Sequence, residues 1–269
     1  MTVKMKNSNI NNSITTFYSQ EERQLRVDLA AAYRLINYYG MTDMIYTHIS
    51  VRIKEEPPIF LINPYGMMFD EICASNLVPV DANGNKIDQA DAEVNPAGFT
   101  IHSAIHLGCP NAHAIIHTHT VSGMAVAAME EGLLPLNQIS MEFYNRVAYH
   151  DYEGISLNLD ERERLVASLG DKKCLILRNH GLLTVGETVA EAFFYMYYLN
   201  KACEIQVNVL SSNAKPIIPP PEICEHTARQ FEGSFGNKNQ EFQLVWEANR
   251  RLLDRLDSSY SDILPPNLP

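Results

Sequence analysis

The stretch Ala114-Ile-Ile-His-Thr-His-Thr120 joins a short apolar run to two histidines, and it decides both the fold and the site. Its residues Ala114 to Thr118 are predicted to form a buried strand. Because residues two apart on a strand point to the same face, His117 and His119 share one face at the strand end. Two imidazoles on one face are a good start for binding a divalent metal ion.

A third histidine lies in the stretch Leu175-Ile-Leu-Arg-Asn-His-Gly-Leu-Leu-Thr-Val185. Cys174 to Leu177 and Leu182 to Val185 are predicted strands, and the glycine between them permits a tight turn. An imidazole delivered by a strand terminus completes a three-histidine site with an open position for substrate or water. The sequence therefore predicts His180 as the third metal ligand.

Three further side chains are candidates for acid–base chemistry. His48 belongs to a predicted strand from Thr47 to Ile53, where its side chain faces either the site or the core. Glu142 and Tyr144 lie in a segment that we expect to be a solvated loop. The sequence alone does not choose among these three groups.

Helical and strand patterns alternate along the rest of the chain. Apolar residues at helical spacing predict a helix from Gln20 to Tyr39, and a second helix is predicted from Ala97 to Leu107. The second helix carries His102 and His106, which we expect to pack within the fold. The turn Asp81-Ala-Asn-Gly-Asn85 predicts a hairpin and therefore antiparallel pairing.

These patterns predict an α/β protein with one mixed domain and a C-terminal helical extension. We expect a flexible tail at residues 1–18, which are rich in Asn, Ser and Thr, and the domain at residues 19–212. The Pro-rich linker Lys215-Pro-Ile-Ile-Pro-Pro-Pro221 leads to C-terminal helices within residues 213–269.

The composition is that of an acidic globular protein. The 269 residues include 32 acidic and 21 basic side chains, which give a net charge of −11. Nucleic-acid and membrane partners are disfavoured, because phosphate neutralisation needs clustered Lys and Arg and no apolar stretch reaches the roughly 18 residues of a membrane span. Five cysteines without a C-x-x-C pair, and no secretory signal, predict free thiols in the cytoplasm.

Four motifs together resemble the class II aldolase/adducin family and are most similar to its adducin-head branch. They are Asn95-Pro-Ala-Gly-Phe-Thr-Ile-His-Ser-Ala-Ile105, Ile115-Ile-His-Thr-His-Thr120, Ala148-Tyr-His-Asp-Tyr-Glu-Gly-Ile155 and Leu175-Ile-Leu-Arg-Asn-His-Gly-Leu-Leu-Thr-Val-Gly-Glu187. The resemblance runs from about Arg23 to Leu210. It implies a three-layer α/β/α fold around a mostly antiparallel sheet, and a homotetramer with active sites between subunits.

The resemblance also implies a chemistry. In aldolases of this family an H-x-H pair and a later histidine hold a divalent metal ion, usually zinc, and these positions match His117, His119 and His180. The metal polarises the carbonyl and hydroxyl groups of a small-molecule substrate and stabilises an enediolate. We therefore expect Zn²⁺, with Mn²⁺ and Fe²⁺ as alternatives.

The sequence departs from the aldolase pattern around the phosphate site. The catalytic glutamate of the aldolases falls on Gly98, the two serines before it fall on Pro96 and Ala97, a Thr-Gly turn becomes Tyr65-Gly66, and a polar Asn becomes His48. Pro96 also removes one backbone N–H from a helix start that would bind an anion. We expect the metal site to be retained and the sugar-phosphate reaction to be lost.

Three functions are consistent with these expectations. The first is a metal-dependent lyase that cleaves or decarboxylates a small non-phosphorylated hydroxy- or oxo-acid, or a related carbonyl compound, with His48, Glu142 or Tyr144 as proton donor. The second is a non-haem iron oxygenase, since some members of the family are similar to such enzymes. The third, a non-enzymatic adducin-like scaffold, is disfavoured by the acidic charge and the lack of a lysine-rich tail.

Overall fold

The computed structural model describes residues 18–87, 92–155, 160–213, 215–233 and 237–263, so the predicted tail lies outside the described residues except for Tyr18. Seven strands in this part form one sheet with the order β3-β2-β1-β4-β7-β6-β5. The strands are β1 (His48–Lys54), β2 (Ile59–Ile62), β3 (Val78–Asp81), β4 (Ala114–Thr118), β5 (Val147–His150), β6 (Cys174–Leu177) and β7 (Gly181–Gly186).

All neighbouring strands are antiparallel except β5 and β6, which confirms the mostly antiparallel sheet. The register of β1 against β4 places His48 opposite His117. Side chains directly opposite each other in an antiparallel pair lie close together. The sheet itself therefore brings a candidate acid–base group next to a candidate metal ligand.

Eight α-helices within the described ranges cover the sheet. They are α1 (Gln20–Tyr38), α2 (Pro96–Gly108), α3 (Val121–Ala127), α4 (Gln138–Glu142), α5 (Glu161–Leu169), α6 (Val189–Ser211), α7 (Pro221–Gly233) and α8 (Lys238–Leu256). Side-chain caps fix the starts of the long helices: the Ser19 hydroxyl accepts the N–H of Glu22 at 3.0 Å, and the Thr188 hydroxyl accepts that of Glu191 at 3.1 Å.

Each face of the sheet has its own hydrophobic core. Ile49 and Ile116 point to the face that α1 and α6 cover, whereas Ile115 and Leu183 point to the face that α2 and α5 cover. Ile115 and Ile116 enter opposite cores because successive strand residues alternate between faces. The result is the three-layer α/β/α arrangement that the resemblance implies.

The C-terminal helices extend the first of these cores. Trp246 of α8 packs edge to face against Phe193 of α6 with ring centroids 5.6 Å apart, and Phe242 lies 5.0 Å from Phe194. Full burial of an aromatic side chain contributes about 2 kcal/mol or more. The predicted C-terminal helical extension is thus present and is stabilised by the same core as the sheet.

Two elements differ from the expectation. The segment around Glu142, expected as a solvated loop, forms α4, and Glu142 is only 7% exposed. Strand β5 was not predicted, because its residues Val147–His150 show neither a continuous aliphatic run nor a regular apolar–polar alternation. The five cysteines are free thiols, as predicted, and no helix in the described ranges is long and apolar enough to cross a bilayer.

Candidate metal centre

The three predicted ligands meet at one end of the sheet. His117 ends the apolar run of β4, His119 follows it, and His180 lies in the turn before β7, the neighbour of β4. The ring of His180 has its centroid 4.8 Å from that of His117 and 4.9 Å from that of His119. One nitrogen from each imidazole lies within 4.8 Å of the other two.

Hydrogen bonds determine which nitrogen His117 and His119 turn toward the centre. His117 Nδ1 lies 2.9 Å from the carbonyl oxygen of Leu182, which can only accept, so Nδ1 carries the proton. His119 Nδ1 donates in the same way to the carboxylate of Asp43 at 2.9 Å. In the neutral imidazoles both Nε2 atoms are therefore free lone-pair donors, as metal-binding histidines require.

These two lone pairs face each other across 2.9 Å. Two such atoms repel unless a cation lies with them. Burial and the neighbouring imidazoles hold the pKa of His117 well below its usual range, and burial lowers the pKa of His180 to about 4. His117 and His119, each with Nδ1 held by a protein acceptor, form together with His180 a three-imidazole donor set that fits zinc.

The turn that carries His180 has two special backbone positions. Asn179 adopts a φ of 56°, in the left-handed region that asparagine tolerates better than most residues. A Cβ on Gly181 would lie 2.5 Å from the carbonyl oxygen of Thr118 and 3.1 Å from the ring of His119. Only glycine allows β7 to start this close to β4, so the Asn-His-Gly sequence is what holds His180 at the centre.

His48 lies beside the three histidines, buried, with its ring centroid 5.3 Å from that of His117. Gly98 of α2 faces this ring: a Cβ on Gly98 would lie 2.6 Å from His48 Cε1 and Nδ1. The imidazole therefore fills the space beside the position that the resemblance assigns to the aldolase glutamate. The two departures from the aldolase pattern, Gly98 and His48, are therefore coupled, because the His48 ring occupies the space that a larger side chain at position 98 would need.

A cavity of about 450 Å³ opens onto His48 and the three predicted ligands, a volume suited to a small molecule. Its other described lining is mostly aromatic or apolar, and includes Tyr46, Tyr65, Ile101, Tyr152 and Ile155. Neither Lys nor Arg is present among the described lining residues. Phosphate sites in proteins use such cations or a helix N-terminus, and here Asn95 and Gly98 at the start of α2 are part of the lining, so the described wall offers a phosphate group a helix start but no cationic side chain.

Glu142 and Tyr144 are not brought to this cavity by their own chain. Glu142 lies in a second cleft, together with Cys174, where β6 begins, and its carboxylate accepts a hydrogen bond from Lys238 at 2.9 Å. Tyr144 lines a small cavity with Leu133. The cleft of Glu142 is at the opposite end of β6 from the turn of His180, so these two residues can join a site only from another subunit.

Two residues of the loop before β1 were not singled out by the sequence. Asp43 holds the proton of His119, as described above. Thr47 lines the cavity with a φ of 67°, which is strained for a β-branched residue, and its buried hydroxyl has no hydrogen-bond partner within the described part of the chain. No spacing or composition signal marks either residue: Asp43 acts through a histidine 76 residues away, and only the folded chain places Thr47 at the cavity.

The family model described as Class II Aldolase and Adducin N-terminal domain matches residues 27–207. The chain belongs to this family. A Caulobacter vibrioides protein named "Putative aldolase class 2 protein" is 50% identical over 244 residues, which are 91% of this chain and 94% of that one. Alpha-adducin of Rattus norvegicus is 46% identical over 202 residues, which are 74% of this chain and 27% of the adducin.

Solved structures of the class II aldolase/adducin family show the same fold. An aldolase II superfamily protein from Pseudomonas syringae superposes with a TM-score of 0.85 at 47% identity, over 91% of this chain and 98% of that one. An L-fuculose 1-phosphate aldolase from Glaciozyma antarctica superposes with a TM-score of 0.77 at 28% identity, over 92% and 98% of the two chains. The predicted family and fold class are therefore confirmed.

Proposed function

We propose that this class II aldolase family member is a metal-dependent lyase that acts on a small, non-phosphorylated hydroxy- or oxo-acid, or on a related carbonyl compound. The observation that carries the proposal is the pair of Nε2 lone pairs of His117 and His119 that face each other at 2.9 Å. With His180 they would hold a divalent ion, Zn²⁺ first and Mn²⁺ or Fe²⁺ as alternatives. When bound, the ion supplies a Lewis acid that polarises a substrate oxygen.

The chain's own residues supply the rest of the proposed site. Asp43 orients the ring of His119, and His48 is the group next to the centre that would move a proton. The cavity lined by Tyr46, Tyr65 and Tyr152 would bind the substrate and exclude water. The lack of Lys and Arg in its described lining supports a substrate without a phosphate group.

We further propose a cytoplasmic homotetramer with the site near a subunit contact. Large apolar side chains are exposed in segments next to the site: Ile155 of the cavity lining is 75% exposed, Met44, which follows Asp43, 70%, and Val121, two residues after His119, 82%. Clustered exposed apolar side chains are typical of association surfaces. In such an assembly Glu142 or Tyr144 of a neighbouring subunit remains a candidate acid–base group.

Elemental analysis of protein purified without chelators tests the proposal. We expect near-stoichiometric zinc or manganese in the wild type, loss of the metal in a His117→Ala/His180→Ala double variant, and retention in the control His113→Ala, whose side chain is 41% exposed at the other end of β4. Iron in place of zinc, with oxygen uptake on adding substrate, would favour the oxygenase. A wild type that neither carries nor takes up metal would leave the scaffold as the remaining function.

A further inference from the structure

A chain of buried hydrogen bonds runs behind His48, between β1 and α2. Ser50 Oγ lies 2.6 Å from His102 Nδ1 and 2.7 Å from His106 Nε2. His106 Nδ1 lies 2.7 Å from the carbonyl oxygen of Ala112. The side chains of Ser50, His102 and His106 are at most 2% exposed, so water does not compete for these bonds.

The carbonyl of Ala112 determines the donor-to-acceptor direction of this series of hydrogen bonds. It can only accept, so His106 Nδ1 donates to it. Burial lowers the pKa of His106 to about 3, so the ring is neutral at neutral pH and its Nε2 is an acceptor. The single hydroxyl proton of Ser50 must then be donated to His106.

The direction continues to His102. Since the Ser50 proton is already used, the 2.6 Å contact requires that His102 Nδ1 donates to Ser50 Oγ. Burial also lowers the pKa of His102 well below its usual range, so this ring is neutral as well. Its Nε2 is therefore a buried lone pair, and it has no hydrogen-bond partner in the described part of the chain.

His48 is the neighbour that can satisfy this lone pair. Its ring centroid lies 4.3 Å from that of His102. Both of its nitrogens are buried and, besides a contact with the backbone of Thr47, have no hydrogen-bond partner among the described residues. Unpaired buried polar atoms are costly, and one hydrogen bond between these rings would satisfy an atom on each. Because His102 Nε2 can only accept, a hydrogen bond between the two rings requires His48 to be the donor.

We propose that Ser50, His102 and His106 are positioning residues that fix the hydrogen-bond direction of His48. The N–H of His48 is directed to His102, and its other nitrogen presents a lone pair to the cavity. This inference rests on the proposed function for the role of His48, but the direction of the chain does not depend on which metal is bound or on the substrate.

The direction favours one of the two lyase reactions. A lone pair suits cleavage of a carbon–carbon bond beside a hydroxyl group. In that step the substrate O–H bond breaks and the proton moves to His48, while the O–H electron pair forms the new C=O bond. The electron pair of the broken carbon–carbon bond stays on the other fragment. That fragment then takes the proton back from His48. Decarboxylation instead needs an N–H of His48 that points to the cavity. In the proposed hydrogen-bond direction that N–H points to His102.

Imidazole nitrogen NMR on the full-length protein tests the proposal without a substrate. A nitrogen that carries a proton and one that carries a lone pair have well-separated ¹⁵N shifts. We expect both His102 and His106 as Nδ1–H tautomers, the form less favoured in free histidine, and a ¹⁵N–¹⁵N coupling through the hydrogen bond from His48 to His102 Nε2.

Ser50→Ala removes the central hydroxyl and should release His102 from its single tautomer and abolish the coupling to His48, while His106 stays Nδ1–H on the Ala112 carbonyl. The control is Ser103→Ala, an equally buried serine of α2 whose hydroxyl bonds, among the described residues, to the carbonyl of Thr100. It should leave all three rings unchanged.

A wild-type spectrum with His102 as the Nε2–H tautomer, or without the coupling to His48, would overturn the proposal even if Ser50→Ala does not fold. An unchanged His102 in a folded Ser50→Ala variant would overturn it as well. Failure of the proposed function would appear separately, as an absence of bound metal.

Discussion

The carboxylate of Asp43 accepts the Nδ1–H of His119 at 2.9 Å and so turns the Nε2 lone pair of His119 toward His117. Carboxylates that orient a metal-binding imidazole in this way typically strengthen metal affinity about 10–100-fold. We therefore expect Asp43→Ala to weaken zinc binding by about this factor, measured by competition with a chromophoric chelator. Little change in folding is expected, since the Asp43 side chain is 41% exposed.

The matched control for this variant is Asp171→Ala. The carboxylate of Asp171 is 89% exposed and, within the described part of the chain, pairs with the neighbouring Lys172. Equal zinc affinity in Asp43→Ala and Asp171→Ala would show that the hydrogen bond to His119 does not position a ligand.

The buried histidines predict a specific pH dependence of stability. The pKa of His106 is about 3 in the folded protein, against an ordinary value of 6.5. Between these values the unfolded chain binds a proton that the folded chain does not, so stability falls as the pH falls from about 6.5 to about 3. Each such group contributes up to about 1.4 kcal/mol per pH unit in this window.

Urea unfolding of chelator-treated protein between pH 7 and pH 4 would measure this slope. In His106→Gln one titrating group is removed, so the free energy of unfolding should depend on pH with a slope shallower by up to one proton. Whatever its stability at pH 7, a His106→Gln variant with the wild-type slope would contradict the assignment.

The sequence predicted those parts of the molecule that depend on local pattern. The ends of β4 and β6 match the prediction because each is an apolar run bounded by turn residues. The cluster of three histidines was also predictable, since residues two apart on a strand and a turn between neighbouring strands place side chains by short-range geometry.

The rest depends on contacts between segments far apart in the chain. Asp43 contacts His119, which lies 76 residues later in the sequence, and the hydrogen bond between Ser50 and His106 joins a strand to a helix. Glu142 was expected in a solvated loop because its partner Lys238 comes 96 residues later. Patterns within one segment carry no information about such pairs.

The contact between Gly98 and His48 gives a third prediction. Gly98→Ala places a Cβ 2.6 Å from the His48 ring, and overpacking of this kind costs about 1–3 kcal/mol. Alanine stabilises a helix by roughly 1 kcal/mol relative to glycine. Whether Gly98→Ala raises or lowers the free energy of unfolding therefore depends on whether the His48 ring is present. We expect Gly98→Ala to destabilise the wild type and to stabilise a His48→Ala background.

A double-mutant cycle by urea unfolding measures this coupling, which should be about 0.5–3 kcal/mol for residues in contact. Gly233→Ala, at the end of α7 with no atom within 4 Å of the added Cβ, serves as the control that should be additive with His48→Ala. Additive free energies for Gly98→Ala and His48→Ala would show that the ring does not fill the space beside Gly98.

The ion pair between Glu142 and Lys238 allows an experiment that distinguishes a structural role of Glu142 from a catalytic one. Lys238 Nζ lies 2.9 Å from Glu142 Oε1 and 4.7 Å from the centroid of Phe194, and the two side chains are 6% and 16% exposed. Burial raises the pKa of Glu142, and the Lys238 ammonium opposes that rise. The pair joins α4 to α8.

Glu142→Gln should therefore lower the free energy of unfolding by about 1–3 kcal/mol, the range for a buried hydrogen bond to a charged group, while zinc affinity stays at the wild-type value. Glu241→Gln removes the second carboxylate of Lys238, at 3.2 Å, and should cost less because Glu241 is more exposed. Denaturant titration and chelator competition on both variants provide the measurement. Wild-type stability in Glu142→Gln together with loss of turnover would instead assign Glu142 to the site of a neighbouring subunit.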